Sequence, residues 1–138
     1  MLTSNKKKLT KLATALALMS TASFGAMAEW TLISDSIEFK NYVDLDTIRR
    51  SGHMAKIWSI KNYQSPQEYS SNTTYLSTRL HYEYDCRDER KRLLDFSVHS
   101  KKMASGAVLG IDSNVDKWSS VAPRTIAEEV FKIACGIK

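Results

Sequence analysis

Between Leu76 and Val98 the chain alternates in polarity twice over, and this pattern limits the available folds more than any other feature. Leu76, Thr78, Leu80, Tyr82, Tyr84 and Cys86 share one parity, while Ser77, Arg79, His81, Glu83 and Asp85 share the other. Period two with one apolar side is the mark of a half-buried strand. A second segment sets Arg92, Leu94, Phe96 and Val98 against Lys91, Leu93, Asp95, Ser97 and His99, after the polar turn Arg87-Asp88-Glu89. If Cys86 faces Arg90 in an antiparallel hairpin, Tyr82 meets Leu94, Leu80 meets Phe96 and Thr78 meets Val98. Both apolar sets then lie on one face, as a shared core requires. On the other face His81 meets Asp95 and Asp85 meets Lys91, which are favourable cross-strand pairs. The His81–Asp95 pair predicts a raised pKa for His81.

Further strands are expected at Trp30–Ser36, Ile37–Val43, His53–Asn62 and Ala107–Ile111, with a single helical turn over Asp44–Arg50 and a polar loop over Tyr63–Asn72. The period then changes. Ile126, Val130, Ile133 and Ile137 recur at helical spacing, and Ala127, Phe131, Ala134 and Cys135 widen the same face. Thr125-Ile126-Ala127-Glu128 fits a capping box, with Pro123 ahead of it and Gly136 closing the helix. These elements predict an α+β domain in which an antiparallel sheet has one face covered by the C-terminal helix. One short helix cannot cover a whole sheet, which leaves room for a homodimer contact.

The N-terminus reads as a secretory signal of the bacterial type over residues 1–28. Lys6, Lys7, Lys8 and Lys11 precede the apolar run Leu12–Met19, and Ala26-Met27-Ala28 is a small-x-small cleavage pattern. The run is too short to span a bilayer, which takes about 20 residues. Cleavage after Ala28 leaves one domain over residues 29–138. It also removes four lysines, so 20 basic residues become 16 against 15 acidic ones and the net charge falls from +5 to +1. A near-neutral chain is no candidate for nucleic-acid binding. The two cysteines, Cys86 and Cys135, both lie in the mature part, and in an oxidising compartment an even count predicts a bridge. Closing a loop of about 50 residues is worth roughly 4 kcal/mol in the chain-entropy treatment.

Sites of chemistry are sparse. His53, His81 and His99 are the only histidines, and the expected hairpin keeps His81 and His99 too far apart to share an ion. Asp112-Ser113-Asn114-Val115-Asp116 begins like a calcium loop, but Lys117 stands where its glycine belongs and Pro123 where its glutamate belongs. No nucleophile elbow, glycine-rich phosphate loop or CxxC is present. Neither metal nor cofactor is expected, and no catalytic residue is assigned. The basic cluster Arg87, Arg90, Lys91 and Arg92 is the best candidate for holding an acidic partner. Trp30, Trp58 and Trp118 would serve as contact hot spots if exposed.

An ordered set of landmarks runs along the mature chain. Trp30 opens it; Tyr42-Val43-Asp44 follows with Ile48-Arg49 and Gly52, then Ile57-Trp58-Ser59 and Tyr84-Asp85-Cys86 with its arginines. Ser100, Met103 and Gly106 come next, then Trp118-Ser119-Ser120-Val121 with Pro123 and the closing Ala134-Cys135. This set resembles the surface-adhesin protein E-like family. The resemblance implies a sheet of about six antiparallel strands, a C-terminal helix tied to it by a disulfide, and frequent dimers. It also implies a non-catalytic module that binds protein partners, such as the host proteins vitronectin, laminin or plasminogen. The best-known member is a lipoprotein displayed at the outer membrane; here no cysteine follows the expected cleavage site, so neither a lipid anchor nor a membrane span is expected. An exported protein, residing in the periplasm or reaching the cell surface, follows from these readings. The terminal Lys138 resembles the lysine-type ligand of plasminogen modules and joins the candidate binding residues. Two alternatives are a periplasmic structural or accessory protein without a host ligand, and a periplasmic enzyme.

Overall fold

A computed structural model describes residues 28–138, so the expected secretory segment lies outside the described residues up to Met27. Six strands form one antiparallel meander in chain order: β1 Trp30–Asp35, β2 Phe39–Ser51, β3 Met54–Ser70, β4 Thr73–Asp85, β5 Arg90–His99 and β6 Val108–Asp112. A two-residue strand, β7 Ser119–Ser120, pairs with β5, and the chain closes with the helix α1 Ile126–Cys135. The expected α+β architecture is the one observed.

The β4–β5 hairpin keeps the register expected from its polarity over its far half, where Thr78 faces Val98, Leu80 faces Phe96 and His81 faces Asp95. A bulge follows. Tyr82 faces Leu93 instead of Leu94, Glu83 faces Arg92, Tyr84 faces Lys91 and Asp85 faces Arg90. The one-residue slip changes which side of the sheet each residue of the basic run occupies. The unslipped pairing would set Asp85 against Lys91; the bulge brings Arg90 and Arg92 level with Asp85 and Glu83.

Two other segments differ from expectation. Asp44–Arg50 is no helical turn but an irregularity inside β2, whose register to β3 shifts between Asp44 and Arg49. Local side-chain bonds shape it: Asp44 Oδ1 accepts from the Asp46 N–H, and the Thr47 hydroxyl donates to the Asp44 carbonyl. The same hydroxyl accepts from the Trp58 N–H on β3, which keeps the excursion tied to the sheet. The segment Tyr63–Asn72 is mostly strand, and only Ser71 and Asn72 form the turn between Ser70 and Thr73. Pro66 cannot donate to a ladder, and the β3–β4 register shifts between Asn62 and Gln67 around it. Edge-on aromatic pairs, Tyr63–Tyr75 at 5.5 Å and Tyr69–Tyr75 at 6.5 Å, hold the extended arm together.

The helix starts and stops where its signals place it. Thr125 caps the Glu128 N–H, while the Glu128 carboxylate reaches back to the Arg124 N–H at 2.7 Å rather than to that of Thr125. Gly136 adopts the left-handed conformation (φ 68°), and the Ile137 N–H returns to the Lys132 carbonyl. Arg50, at the end of β2, donates to the carbonyls of Ala134 and Ile133, so a cation sits at the negative end of the helix. Val130, Phe131 and Ala134 pack on Val43, Ala55, Ile57 and Tyr84, with the rings of Phe131 and Tyr84 5.9 Å apart. The Cys86–Cys135 disulfide pins the end of the helix beside this core.

The other face of the sheet carries Trp58, Ile60 and Asn62 from β3 and Ser77, Arg79 and His81 from β4, by the parity of the strands. The turn after β5 folds over its far end. Met103 donates its N–H to Asn62 Oδ1, and Ala104 donates its N–H to the Ser77 hydroxyl. Both turn residues have positive φ, at 58° and 53°, a strain held in place by these two bonds.

Candidate functional site

The alternation of β5 distributes the expected basic cluster over both faces of the sheet. Arg90 and Arg92 lie on the helix-free face, each against a carboxylate: Arg90 Nη2 is 2.7 Å from Asp85 Oδ2, and Arg92 Nη2 is 2.6 Å from Glu83 Oε1. Asp85 has no solvent-exposed side-chain surface. Arg90 first, then the N–H groups of Asp88 and Arg87, hold its carboxyl down at about 2. Both guanidinium groups also stand over the Trp118 ring, Arg92 at 4.4 Å and Arg90 at 5.3 Å. Lys91 is on the helix side, 5.3 Å from the Tyr82 ring. Arg87 is exposed in the turn beside Asp88, and Lys138 is exposed beyond the helix. The structure therefore brings Arg90 and Arg92 together with Trp118 and sets Lys91 apart from them.

A second tryptophan stack lies on the same helix-free face. Trp58 and His81 are cross-strand partners, and their rings are parallel within 3° at 4.3 Å. The Arg79 guanidinium is 4.6 Å from the Trp58 ring. Trp58 and Arg79 border a shallow hollow of about 300 Å³ shared with Trp30, Asp44 and Thr47. The expected raising of the His81 pKa is not what the environment produces. Burial against Trp58 and the Lys56 ammonium lower it, and Asp95 opposes them without prevailing. His99, bonded to the Ser97 hydroxyl at 2.7 Å, is likewise lowered, by burial first and then by Arg79.

The helix side holds a groove of about 230 Å³ between α1 and the floor of β2–β5. Ile33, Phe39, Leu80, Tyr82, Ile126 and Val130 give it apolar walls. Lys61, Lys91, Ser59 and Asn41 add polar groups, and no carboxylate lines it. Burial raises the phenol of Tyr82 above its ordinary pKa, with the Asp116 charge adding to the effect. Lys61 and Asn41 were not among the residues expected to bind. Lys61 falls on the parity of Ala55 and Ile57, where a core residue belongs, and that interruption of the apolar face is the signal that would have found it.

Among the described residues no three histidine, cysteine or carboxylate side chains converge on a metal-sized point, and no helix is long and apolar enough to cross a membrane.

The family described as surface-adhesin protein E matches residues 30–136. The fold resembles a structure of Haemophilus influenzae protein E with a TM-score of 0.62 at 11% identity, over 81% of this chain and 87% of that one. It resembles protein E from non-typeable Haemophilus influenzae with a TM-score of 0.62 at 11% identity, over 82% of this chain and 79% of that one. The selenomethionine form of the Haemophilus influenzae protein gives a TM-score of 0.58 at 13% identity, over 70% of this chain and 78% of that one. Among curated proteins none matches this sequence.

Proposed function

Because the chain belongs to the surface-adhesin protein E family, we propose that it is an exported, non-catalytic module that binds a protein partner through the helix-free face of its sheet. The observation that carries this reading is the pair of arginine–tryptophan stacks on that face, Arg79 with His81 on Trp58 and Arg90 with Arg92 on Trp118. Tryptophan and arginine are the residues that most often dominate binding energy when a partner seals them from water. Arg87 adds an exposed charge at the turn and Lys138 another at the end of the chain. Host proteins such as vitronectin, laminin and plasminogen are the partners to test first, with export proceeding through cleavage after Ala28.

Purified residues 29–138 should bind at least one of these proteins when it is immobilised. Replacing Trp58 and Arg79 together by alanine should weaken binding by roughly thirtyfold, the equivalent of about 2 kcal/mol. Unaltered binding by that double variant removes this face from the proposal. An absence of binding to all three partners favours a periplasmic accessory role, which recovery of the protein only in osmotic-shock fluid would support.

A further inference from the structure

We propose that the groove between α1 and the sheet is a receptor for a carboxylate attached to an aromatic or branched apolar group. This goes beyond the partner-binding face, which lies on the opposite side of the sheet.

The floor of the groove is built by cross-strand neighbours. Asn41 on β2 pairs with Lys61 on β3, and the two side chains project to the same side. Lys61 Nζ lies 3.9 Å from the Phe39 ring centroid and 5.4 Å from that of Tyr63, so the ammonium rests on aromatic faces. Among the described residues neither Lys61 nor Lys91 has a carboxylate in salt-bridge range, whereas Arg90 and Arg92 both do. Beside Lys61, the Asn41 Nδ2 donor is buried with no hydrogen-bond partner. A buried donor without an acceptor is unusual and costly, and a rotation of the Asn41 amide toward the groove it lines would let an acceptor next to Lys61 relieve it.

The ligand chemistry follows from these groups. Lys61 and the adjacent Asn41 amide suit a single carboxylate, because Lys91 is level with Tyr84, six residues along β4 from the Thr78 that faces Lys61. Phosphate, with more oxygens and more charge, is ordinarily met by arginine forks or nests of backbone N–H groups, and the groove lining contains no arginine. The apolar body is met by Ile33, Leu80 and Tyr82 below and by Ile126 and Val130 above. An apolar cavity of roughly 150 Å³ holds a benzene ring. The groove, at about 230 Å³, has room for a ring or branched chain plus its carboxylate but not for an extended ligand held along its whole length. The carboxylate can come from a free organic acid or from the last residue of a peptide.

The test uses 3-phenylpropionate as the free acid, and acetyl-Gly-Gly-Phe with a free C-terminus as the peptide, each with its amide counterpart, followed by amide NMR shifts of residues 29–138. Saturable shifts along β2, β3 and α1 are expected for at least one acid, at a Kd on the order of 1 mM. Binding should weaken about tenfold or more for the amide, for Lys61→Met and for Asn41→Ala, in keeping with a charge-assisted contact. Saturation by the free acid alone identifies a small organic acid, by the peptide alone a chain terminus, and by both the shared chemistry. The proposal is overturned if neither acid saturates at millimolar concentration, or if the amides or the Lys61→Met protein bind as well as the originals. Neither result bears on binding at the Trp58 face.

Discussion

The two faces of one sheet treat most of their cations differently, although Arg79 on the helix-free face rests on Trp58 with no carboxylate in salt-bridge range among the described residues. On the helix-free face Arg90 and Arg92 are neutralised by Asp85 and Glu83 and stacked on Trp118, and Lys56 approaches Glu83 at 3.9 Å. On the helix side Lys61 and Lys91 stand among aromatic rings, again with no carboxylate of the described residues in salt-bridge range. Stability rests on different terms as well: the helix side buries Ile57, Tyr84 and Phe131 and is tied by the disulfide, while the other face is a mosaic of paired charges and half-buried rings. Charges that are already paired hold a surface in shape, and charges left without partners are free to recruit a ligand. The contrast leaves Arg79 on one face and Lys61 and Lys91 on the other as cations without a carboxylate of their own, whereas Arg90 and Arg92 meet a partner with their charge already matched and offer it chiefly their stack on Trp118.

The strongest way to break this comparison is to cut the tether. Replacing Cys86 and Cys135 together by serine should cost about 4 kcal/mol, a large share of the roughly 5–15 kcal/mol typical of such domains. Urea unfolding without reductant checks it. A loss below about 1 kcal/mol would mean that Val130, Phe131 and Ala134 hold the helix with little help from the covalent link.

Acidification probes the other face. His81 and His99 have lowered folded-state pKa values, so folding favours their neutral forms; their contribution is present above the ordinary histidine value of 6.5 and is lost as pH falls below it. Asp85 follows at lower pH. Its contribution is present above the ordinary value of 3.8 and disappears as pH drops toward about 2. Thermal unfolding across pH should show two successive losses of stability, and Asp85→Asn should shrink the second while sparing the first, the remainder of the second coming from Glu128, whose carboxyl is also lowered, first by the Arg124 N–H. A single loss confined to the lower range would show that burial of the two imidazoles has no energetic consequence.

The smallest effect is the most discriminating for the groove. Lys61→Met should change stability by no more than about 0.5 kcal/mol, because the residue has no carboxylate partner to lose and its stem already lies on rings. A much larger loss would make Lys61 a structural residue and reduce the contrast between the faces.

Much of this architecture is written in local patterns. Period two across Leu76–Tyr84, helical spacing from Ile126 to Ile133, the Thr125 cap and Gly136 each act within a few residues, so they are readable without knowing what lies opposite. The same holds for the landmark residues and for a cysteine pair whose partners had no competitors. Other features depended on contacts between distant segments. The strand character of Tyr63–Tyr69 depends on Tyr75 across the hairpin, and the Asp44–Arg50 irregularity depends on Trp58 donating to Thr47. The slip after His81 sets which face Arg90, Lys91 and Arg92 occupy, and it was hidden because one bulged residue leaves the polarity pattern of each strand intact. What the sequence determined by itself was the kind, order and inward face of most elements, since these follow from backbone geometry and the segregation of apolar side chains. Only the tertiary structure decided which charges are matched and which are left in the groove. Which charges meet is chosen by the register of neighbouring strands, and that register is settled by the packing of the whole sheet and its helix.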